Sequence, residues 1–321
     1  MSMDKKMDRR TFLVDGAKAT VALAGLSLAP GLLPVPARAA DASPDISVVT
    51  GTDYYKATIQ AVEQLGGMGR FVSKGDNVGL LANIFSKKPG TYTRPDVVLA
   101  VACLCYEAGA KQVYCMKNES KKFWRRSRTS EQHQDLIARL KPDGTDHKTI
   151  QIPSAKVLKE ASILEGTFKH DKLINIPIIK DHSGVHMTCT LKNMMGLSSF
   201  GTNVKFHLGP NYVQTFIKEF GDFFSDLDHF SQSVADLNKV RKADLCVVDA
   251  TEFITTNGPS GPGKMSRPNQ IVAGTDPVAI DALCCSYLDL MPEEIGMIQK
   301  AHQDGLGQVN LEKMTISRTT M

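Results

Sequence analysis

The chain has 321 residues, of which 38 are Lys or Arg, 34 are Asp or Glu and 42% are hydrophobic. Without the first 39 residues, 32 basic and 31 acidic residues remain, so the rest of the chain is almost neutral. This balance argues against a nucleic-acid-binding protein, which would carry a strongly basic surface. About 280 residues are left for folding, enough to bury a full hydrophobic core.

The first 39 residues contain the three zones of an export signal in order. A lysine-rich start ends in Arg9 and Arg10, and a moderately apolar run extends from Ala19 to Leu33. Small residues at the end of the segment suit cleavage near Ala39 by a signal peptidase. The pattern resembles a twin-arginine signal, which implies the twin-arginine translocase as a partner and a periplasmic location. A disordered basic tail is the alternative interpretation.

The apolar run of this segment is interrupted by prolines and falls short of the about 20 apolar residues that span a bilayer. No stable membrane span is therefore expected. Proteins exported by the twin-arginine route often carry a cofactor, so the resemblance also keeps a bound cofactor under consideration.

Apolar strand-like segments then alternate with helical patterns. The predicted strands are Ile46–Thr50, Asn77–Ile84, Gln112–Met116, Thr149–Ile152, Lys172–Ile179, Leu245–Val248 and Gln270–Ala273. The predicted helices are Tyr54–Leu65, Pro95–Ala108, Ser130–Leu140 and Pro277–Leu288. A phenylalanine-rich stretch predicts a helical excursion near residues 204–240. The alternation predicts an α/β fold, with helices flanking a mainly parallel sheet, as one domain over residues 40–321.

The seven cysteines include no C-x-x-C pair, and most of them lie inside apolar runs. This arrangement predicts buried free thiols. The spacing indicates neither a disulfide nor an iron–sulfur cluster.

The most informative segment begins where the predicted strand Lys172–Ile179 gives way to ionisable residues. Lys180 and His182 follow the strand, and His186 and Lys192 come after a Ser-Gly turn. In open α/β folds the carboxyl ends of the strands form the edge where ligands bind. A lysine at that edge binds a phosphate or carboxylate, or acts as a base when burial lowers its pKa. These four residues are candidate catalytic groups, and surface lysines are the alternative.

The same segment offers groups that could bind a ligand. Thr188 and Asn193 supply hydrogen bonds, and a helix beginning near Met187 would direct free N–H groups at an anion. His182 and His186 are four residues apart and could ligate a metal, but no third ligand accompanies them. The identity of any metal or cofactor stays open.

A glycine- and proline-rich loop follows the predicted strand that precedes Asp249. Asp249 is a candidate catalytic acid. In the loop, Asn257, Gly258 and Gly261 are candidates to present backbone N–H groups to a ligand. A plain surface turn is the alternative.

Two further aspartates lie at the predicted helix Pro277–Leu288, and an asparagine ends the second strand. Asp276 suits the N-cap position, although it is also a candidate ligand contact. Asp281 is a further candidate catalytic residue. It lies on an apolar helix face, where a buried acid needs a partner, and Lys180 or Lys192 could provide one. Asn83 completes the set of candidate binding residues.

Five motifs in this order resemble one known family. They are LINIPIIKDH from Leu173, TLKNMMGL from Thr190, NGPSGPG from Asn257, GTDPVAIDA from Gly274 and DGLG from Asp304. The chain is thereby identified as a member of the Domain of Unknown Function 362 family over nearly all of its length after the signal. The family also has a motif around the position of Asn83. There it usually has Lys-Pro before the asparagine, where this chain has Leu81 and Ala82. Some relatives are fused to iron–sulfur modules, which implies redox or cofactor chemistry in the family.

The leading hypothesis is an enzyme that acts on a small anionic substrate through a Lys/His/Asp site, with or without a metal or cofactor. Two other hypotheses stay open. One is a non-catalytic carrier of a cofactor or anion, and the other is a maturation partner of a periplasmic redox enzyme. The three differ in whether the candidate groups converge on one pocket and whether a bound molecule is turned over.

Overall fold

A computed structural model describes residues 43–208 and 226–321 of the chain. The predicted export signal at residues 1–39 and the middle of the predicted excursion at 204–240 lie outside the described residues. Helices occupy both described ends of that excursion. Within the described ranges, no helix is long and apolar enough to cross a membrane.

Strands and helices are interspersed along the described residues, and several strands follow one another without an intervening helix. The strands are β1 (Ile46–Thr50), β2 (Asn77–Ala82), β3 (Gln112–Cys115), β4 (Lys141–Pro142), β5 (His147–Gln151), β6 (Glu160–Leu164), β7 (Lys172–Ile176), β8 (Lys180–His182), β9 (His186–Thr188), β10 (Leu245–Ala250), β11 (Phe253–Ile254), β12 (Met265–Ser266), β13 (Gln270–Gly274) and β14 (Ile316–Thr320). In the described part of the chain, eight strands form one sheet in the order β14-β1-β13-β10-β7-β2-β3-β4. Of these eight, only β13 runs antiparallel to its neighbours. The predicted α/β fold with a mainly parallel sheet is confirmed.

Helices cover both faces of this sheet. They are α1 (Tyr54–Gln64), α2 (Pro95–Glu107), α3 (Lys121–Trp124), α4 (Gln134–Arg139), α5 (Gly166–Lys169), α6 (Thr190–Asn193), α7 (Phe200–Leu208), α8 (Leu227–Asn238), α9 (Pro277–Cys284) and α10 (Gly296–Gln303). Short 3-10 turns occur at Met68–Arg70, Met194–Leu197, Cys285–Leu288, Pro292–Glu294 and Leu311–Lys313. Apolar residues of α1 and α2 build the core on one face, and those of α6, α8, α9 and α10 build the core on the other. All seven cysteines are free thiols and six of them are buried, as predicted.

Three predicted elements differ from the structure. The predicted helix Ser130–Leu140 begins only at Gln134, because hydrogen-bonded turns occupy residues 129–133. The predicted strand Thr149–Ile152 corresponds to β5, which pairs with β6 in a hairpin outside the main sheet. The predicted strand Lys172–Ile179 ends at Ile176, because Pro177 has no N–H to donate to the ladder.

The sheet topology decides which polar groups share an edge. β2, β7 and β10 are parallel, so Asn83, Lys180 and Asp249 all lie at their carboxyl ends. Strand β13 runs the other way, and Gly274 at its carboxyl end pairs with Ile46 at the amino end of β1. The segment after β13 therefore starts at the opposite edge of the sheet from Lys180.

Candidate functional site

A small hairpin formed by β8 and β9 carries four of the predicted site residues. Lys180 is paired with Thr188, and His182 is paired with His186. Because alternate residues of a strand face the same side, the buried side chains of Lys180, His182 and Thr188 share one face of the hairpin. Asp181 lies on the other face, where its Oδ2 accepts a hydrogen bond from the backbone N–H of Gly258 at 2.7 Å.

Lys180 is buried, with only 1% of its surface exposed. Its Nζ donates hydrogen bonds to the carbonyl oxygens of Thr91 at 2.7 Å and Pro259 at 3.0 Å. Burial and, secondly, the charge of Lys192 lower the pKa of Lys180 to about 7. Near neutral pH this amine therefore exchanges between its charged and neutral forms, as a general acid or base must.

Three other basic side chains lie in the same region. Burial lowers the pKa of Lys192 to about 8 and that of His207 to about 4, and Lys192 also contributes to the shift of His207. The pKa of His182 falls to about 2, first through burial and then through the charges of Lys192, His207 and Lys180. We call these four residues the basic pocket. The charge of Lys192 contributes to the lowered pKa of each of the other three, so Lys192 lies within electrostatic reach of all of them.

The histidines of the basic pocket are neutral at pH 7, while Lys192 keeps a positive charge. Nδ1 of His182 accepts a hydrogen bond from the N–H of Gly184 at 3.2 Å, so the proton of the neutral ring is on Nε2. Nζ of Lys192 lies 5.6 Å from the ring centroid of Phe230. Over residues 43–208 and 226–321, neither Lys180 nor Lys192 forms an ion pair with a carboxylate. The pocket thus presents N–H donors and positive charge.

Asp281, the predicted partner of a lysine, is paired elsewhere. Its carboxylate accepts hydrogen bonds from the N–H and hydroxyl of Thr190, at 2.8 and 2.5 Å, and from the N–H of Leu191 at 3.1 Å. The expectation that Lys180 or Lys192 pairs with it is therefore wrong. The predicted helix start near Met187 is also wrong, because α6 begins at Thr190 and its first N–H groups bind Asp281 instead of an external anion.

Asp249 and Asp276 also accept hydrogen bonds from backbone N–H groups and do not line the basic pocket. Oδ2 of Asp249 accepts from the N–H of Arg94 at 2.7 Å, and Oδ1 accepts from the N–H and hydroxyl of Thr251. Asp276 caps α9, as predicted, by accepting from two N–H groups at 2.9 Å. It does so at the opposite edge of the sheet, so it does not form a wall of the pocket. Asp249 therefore anchors a segment beside the site, and Asp276 anchors the start of α9 at the far edge.

The predicted ligand loop contributes carbonyl groups instead of N–H groups. The N–H of Gly258 is taken by Asp181, and the carbonyl of Pro259 accepts from Lys180. The carbonyl of Gly261 accepts from Nζ of Lys88, and exposed Asn257 bonds within the loop through Nδ2 and the Pro262 carbonyl. The loop therefore closes one side of the hairpin and orients Lys180.

A buried pair of asparagines connects the pocket to the sheet. Nδ2 of Asn193 donates to the carbonyl of Leu81 at 3.0 Å and to Oδ1 of Asn175 at 2.7 Å. Asn175 in turn donates to the carbonyl of Thr190 at 2.9 Å. Asn193 is thus a positioning group for α6, the helix that carries Lys192.

Some buried polar atoms near this edge lack a hydrogen-bond partner within the described ranges. They include the hydroxyl of Thr188, Oδ1 of Asn83 and Oδ1 of Asn203, on the helix that carries His207. A buried polar atom without a partner costs free energy, and a bound ligand or ordered water removes that cost. Thr188 shares a face of the hairpin with Lys180, so its hydroxyl is a candidate ligand contact.

His186 lies apart from the buried members of the pocket. It is exposed, has a positive φ of 67°, and lines a cavity of about 220 Å³ together with Ser231, Asp228 and Glu294. In the part of the chain that the structure describes, no group of three or more His, Cys, Asp or Glu side chains is arranged to hold a metal. The histidine pair of the hairpin therefore gains no third ligand from these residues.

Sequence reasoning missed His207 and Asn175 as members of this region. His207 lies on α7, which no spacing pattern links to the hairpin, and Asn175 lies inside the apolar strand β7. A polar residue within an otherwise apolar strand could have indicated that Asn175 has a buried polar partner. Only the tertiary fold could place His207 beside Lys192.

Fold and pocket together define an α/β protein with a buried basic pocket at the carboxyl edge of its sheet. Residues 78–286 match the family model described as "Domain of unknown function (DUF362)", and the chain belongs to this family, as its motifs predict.

A known protein of similar sequence and one of similar structure illustrate what this chain resembles. A thylakoid-associated protein of Synechocystis sp. is 26% identical over 266 residues, which cover 78% of this chain and 75% of that protein. The lactate racemase apoprotein of Thermoanaerobacterium thermosaccharolyticum matches in structure with 14% identity and a TM-score of 0.41. That match covers 83% of this chain and 57% of the racemase chain, so this chain spans little more than half of its length.

Proposed function

We propose that the protein is an enzyme that binds a small anionic substrate in the basic pocket. The observation that carries this proposal is the grouping of Lys180, His182, Lys192 and His207, with neither lysine ion-paired to a carboxylate of the described residues. Gathering positive charge away from water is costly unless an anion offsets it. A carboxylate or phosphate of a substrate would offset this cost.

The two lysines have different roles in this proposal. Lys192, whose pKa is about 8, stays mostly charged at pH 7 and attracts the anionic group. Lys180, whose pKa is about 7, accepts or donates the proton during the reaction. Its two hydrogen bonds to the Thr91 and Pro259 carbonyls leave one position on Nζ for the substrate. The buried hydroxyl of Thr188, which has no hydrogen-bond partner among the described residues, orients the bound molecule.

Replacing Lys192 by methionine is expected to weaken anion binding by at least about tenfold, because a charged hydrogen-bond donor is lost from a buried site. Isothermal titration calorimetry with acetate, malonate and succinate at constant ionic strength measures this change. The affinity of the wild type should also fall as pH rises from 7 through 8. The lysines bind an anion only when protonated, and they lose their protons over that range.

Lys205→Met is the matched control, because Lys205 also lies on the helix that carries His207 but is 41% exposed. It should bind anions as the wild type does. Equal binding by Lys192→Met and the wild type would refute the basic pocket as the binding site. Turnover of a bound anion by the wild type but not by Lys180→Met separates an enzyme from a carrier or a maturation partner. Metal analysis and mass spectrometry of the purified protein identify any metal or cofactor that binds with the substrate.

We also propose that the protein reaches the periplasm by the twin-arginine route. The proposal is supported by the order of zones in residues 1–39. Replacing Arg9 and Arg10 together by lysine is expected to keep the chain in the cytoplasm with its first residues intact. Cell fractionation and N-terminal sequencing test this, and a wild-type chain that is found uncleaved in the cytoplasm would contradict it.

A further inference from the structure

A second group of cations lies at the same edge of the sheet, outside the basic pocket. Arg94, Arg128 and Arg267 all approach the carboxylate of Glu252, with N–O distances of 2.6, 3.3 and 3.7 Å. The hydroxyl of Tyr54 lies 2.9 Å from the same carboxylate. We call the three arginines with Glu252 and Tyr54 the arginine cluster.

The sheet topology assembles this cluster from four strands. Tyr54 begins the helix after β1, Arg94 caps the helix after β2, and Glu252 follows β10. Arg267 precedes β13, whose amino end lies at this edge because the strand is antiparallel. The cluster thus occupies the edge where open α/β sheets bind ligands.

The buried carboxylate of Asp96 fixes the backbone position of Arg128. Asp96 is 2% exposed, and its Oδ1 accepts from the backbone N–H groups of Arg128 and Thr129 at 2.9 and 3.2 Å. The same oxygen accepts from the hydroxyls of Ser127 and Thr129. The loop that carries Arg128 is therefore held in position before any ligand arrives.

The three arginines of the cluster carry more positive charge than the carboxylate of Glu252 neutralises. Three guanidinium groups share the Glu252 carboxylate, and Asp249, the other acid near Arg94, directs its oxygens at backbone N–H groups and at Thr251. At 3.7 Å, Nε of Arg267 is too far from Glu252 for a hydrogen bond. A structural ion pair requires only one cation, so the other guanidinium groups keep N–H donors for another anion.

The arrangement of the guanidinium groups favours a polyvalent oxyanion. Arg94 and Arg128 lie 5.1 and 4.7 Å from the centroid of the Tyr54 ring, so both are gathered at one aromatic side chain. Arg128 and Arg267 are 56% and 60% exposed, which leaves them open to a ligand from solvent. Planar guanidinium groups bind the oxygens of phosphate in pairs, which a lysine does not do.

We propose that the arginine cluster is a binding site for a phosphate group, either free or as part of a larger ligand. Arg128 and Arg267 contact the phosphate oxygens, and Arg94 holds the site through Glu252. Only two residues lie between Arg94 and Thr91, whose carbonyl binds Lys180. The site is separate from the basic pocket and does not rest on the proposed reaction.

Titration of the full chain with inorganic phosphate tests this site, with chloride added to keep the ionic strength constant. Saturable binding with a Kd below about 10 mM is expected by calorimetry. Arg128→Met and Arg267→Met should each weaken it by about tenfold, because each removes a charged donor. Glu252→Gln should strengthen it several-fold, because the carboxylate that competes with phosphate is lost. Both arginine variants should fold, since these side chains are largely exposed.

Two control variants locate the bound phosphate. Arg139→Met removes an exposed arginine that also stacks on a tyrosine, 3.7 Å from the Tyr106 ring, and should leave the affinity unchanged. Lys205→Met, which removes a partly exposed lysine on the helix that carries His207, should leave phosphate binding unchanged as well. The proposal is overturned if phosphate does not bind, or if the Arg128 and Arg139 variants lose affinity equally. It is also overturned if only the Lys192 variant loses affinity. If the natural ligand is a larger molecule that contains a phosphoryl group, that molecule should bind more tightly than free phosphate.

Discussion

Replacing Asp281 by alanine is expected to lower the free energy of unfolding by about 3–5 kcal/mol. The carboxylate is completely buried and accepts two backbone N–H groups and one hydroxyl at the start of α6. Without it, these donors stay buried and unpaired, and each costs about 1–3 kcal/mol. Urea denaturation followed by circular dichroism measures the change.

Two further variants separate this effect from a general response to charge removal. Asp281→Asn keeps one acceptor oxygen and should lose less stability than the alanine variant. Asp135→Ala, at an exposed position in the first turn of α4, should change the free energy of unfolding by no more than about 0.5 kcal/mol. A decrease in the free energy of unfolding of less than about 1 kcal/mol in Asp281→Ala would show that the carboxylate does not stabilise the start of α6.

Gly258→Ala is expected to destabilise the protein by about 3 kcal/mol or more and to weaken anion binding in the basic pocket. A Cβ atom at this position would lie 1.7 Å from the carbonyl oxygen of Asp181 and 2.3 Å from its carbon. Both are backbone atoms, so the loop must move away from the hairpin. That movement withdraws the Pro259 carbonyl from Nζ of Lys180. Thermal unfolding and calorimetry with the anion panel measure the two effects.

Gly144→Ala is the matched control for this prediction. A Cβ atom there would meet no heavy atom within 4 Å, and the residue is exposed. Its stability and anion affinity should equal those of the wild type to within about 0.5 kcal/mol. If Gly258→Ala behaves in the same way, close contact between the loop and the hairpin is not required for the pocket.

The candidate site could be predicted only in part from the sequence. The position of Lys180 after a buried strand identified the carboxyl edge, because a strand end is visible as a change from apolar to ionisable residues. The roles of the aspartates were not visible. Asp281 and Asp249 bind backbone N–H groups that lie 91 and 155 residues away, and no local pattern records such partners.

By itself, the sequence determined six of the eight strands that form the main sheet of the described residues, the cap at Asp276 and the family, since periodicity, capping and motifs are properties of neighbouring residues. The tertiary structure alone decided which groups meet. The antiparallel direction of β13 placed Asp276 at the far edge and Arg267 beside Glu252. Packing of α7 brought His207 near Lys192. These contacts depend on strand direction and long-range packing, and neither can be predicted from the local pattern of residues along the chain.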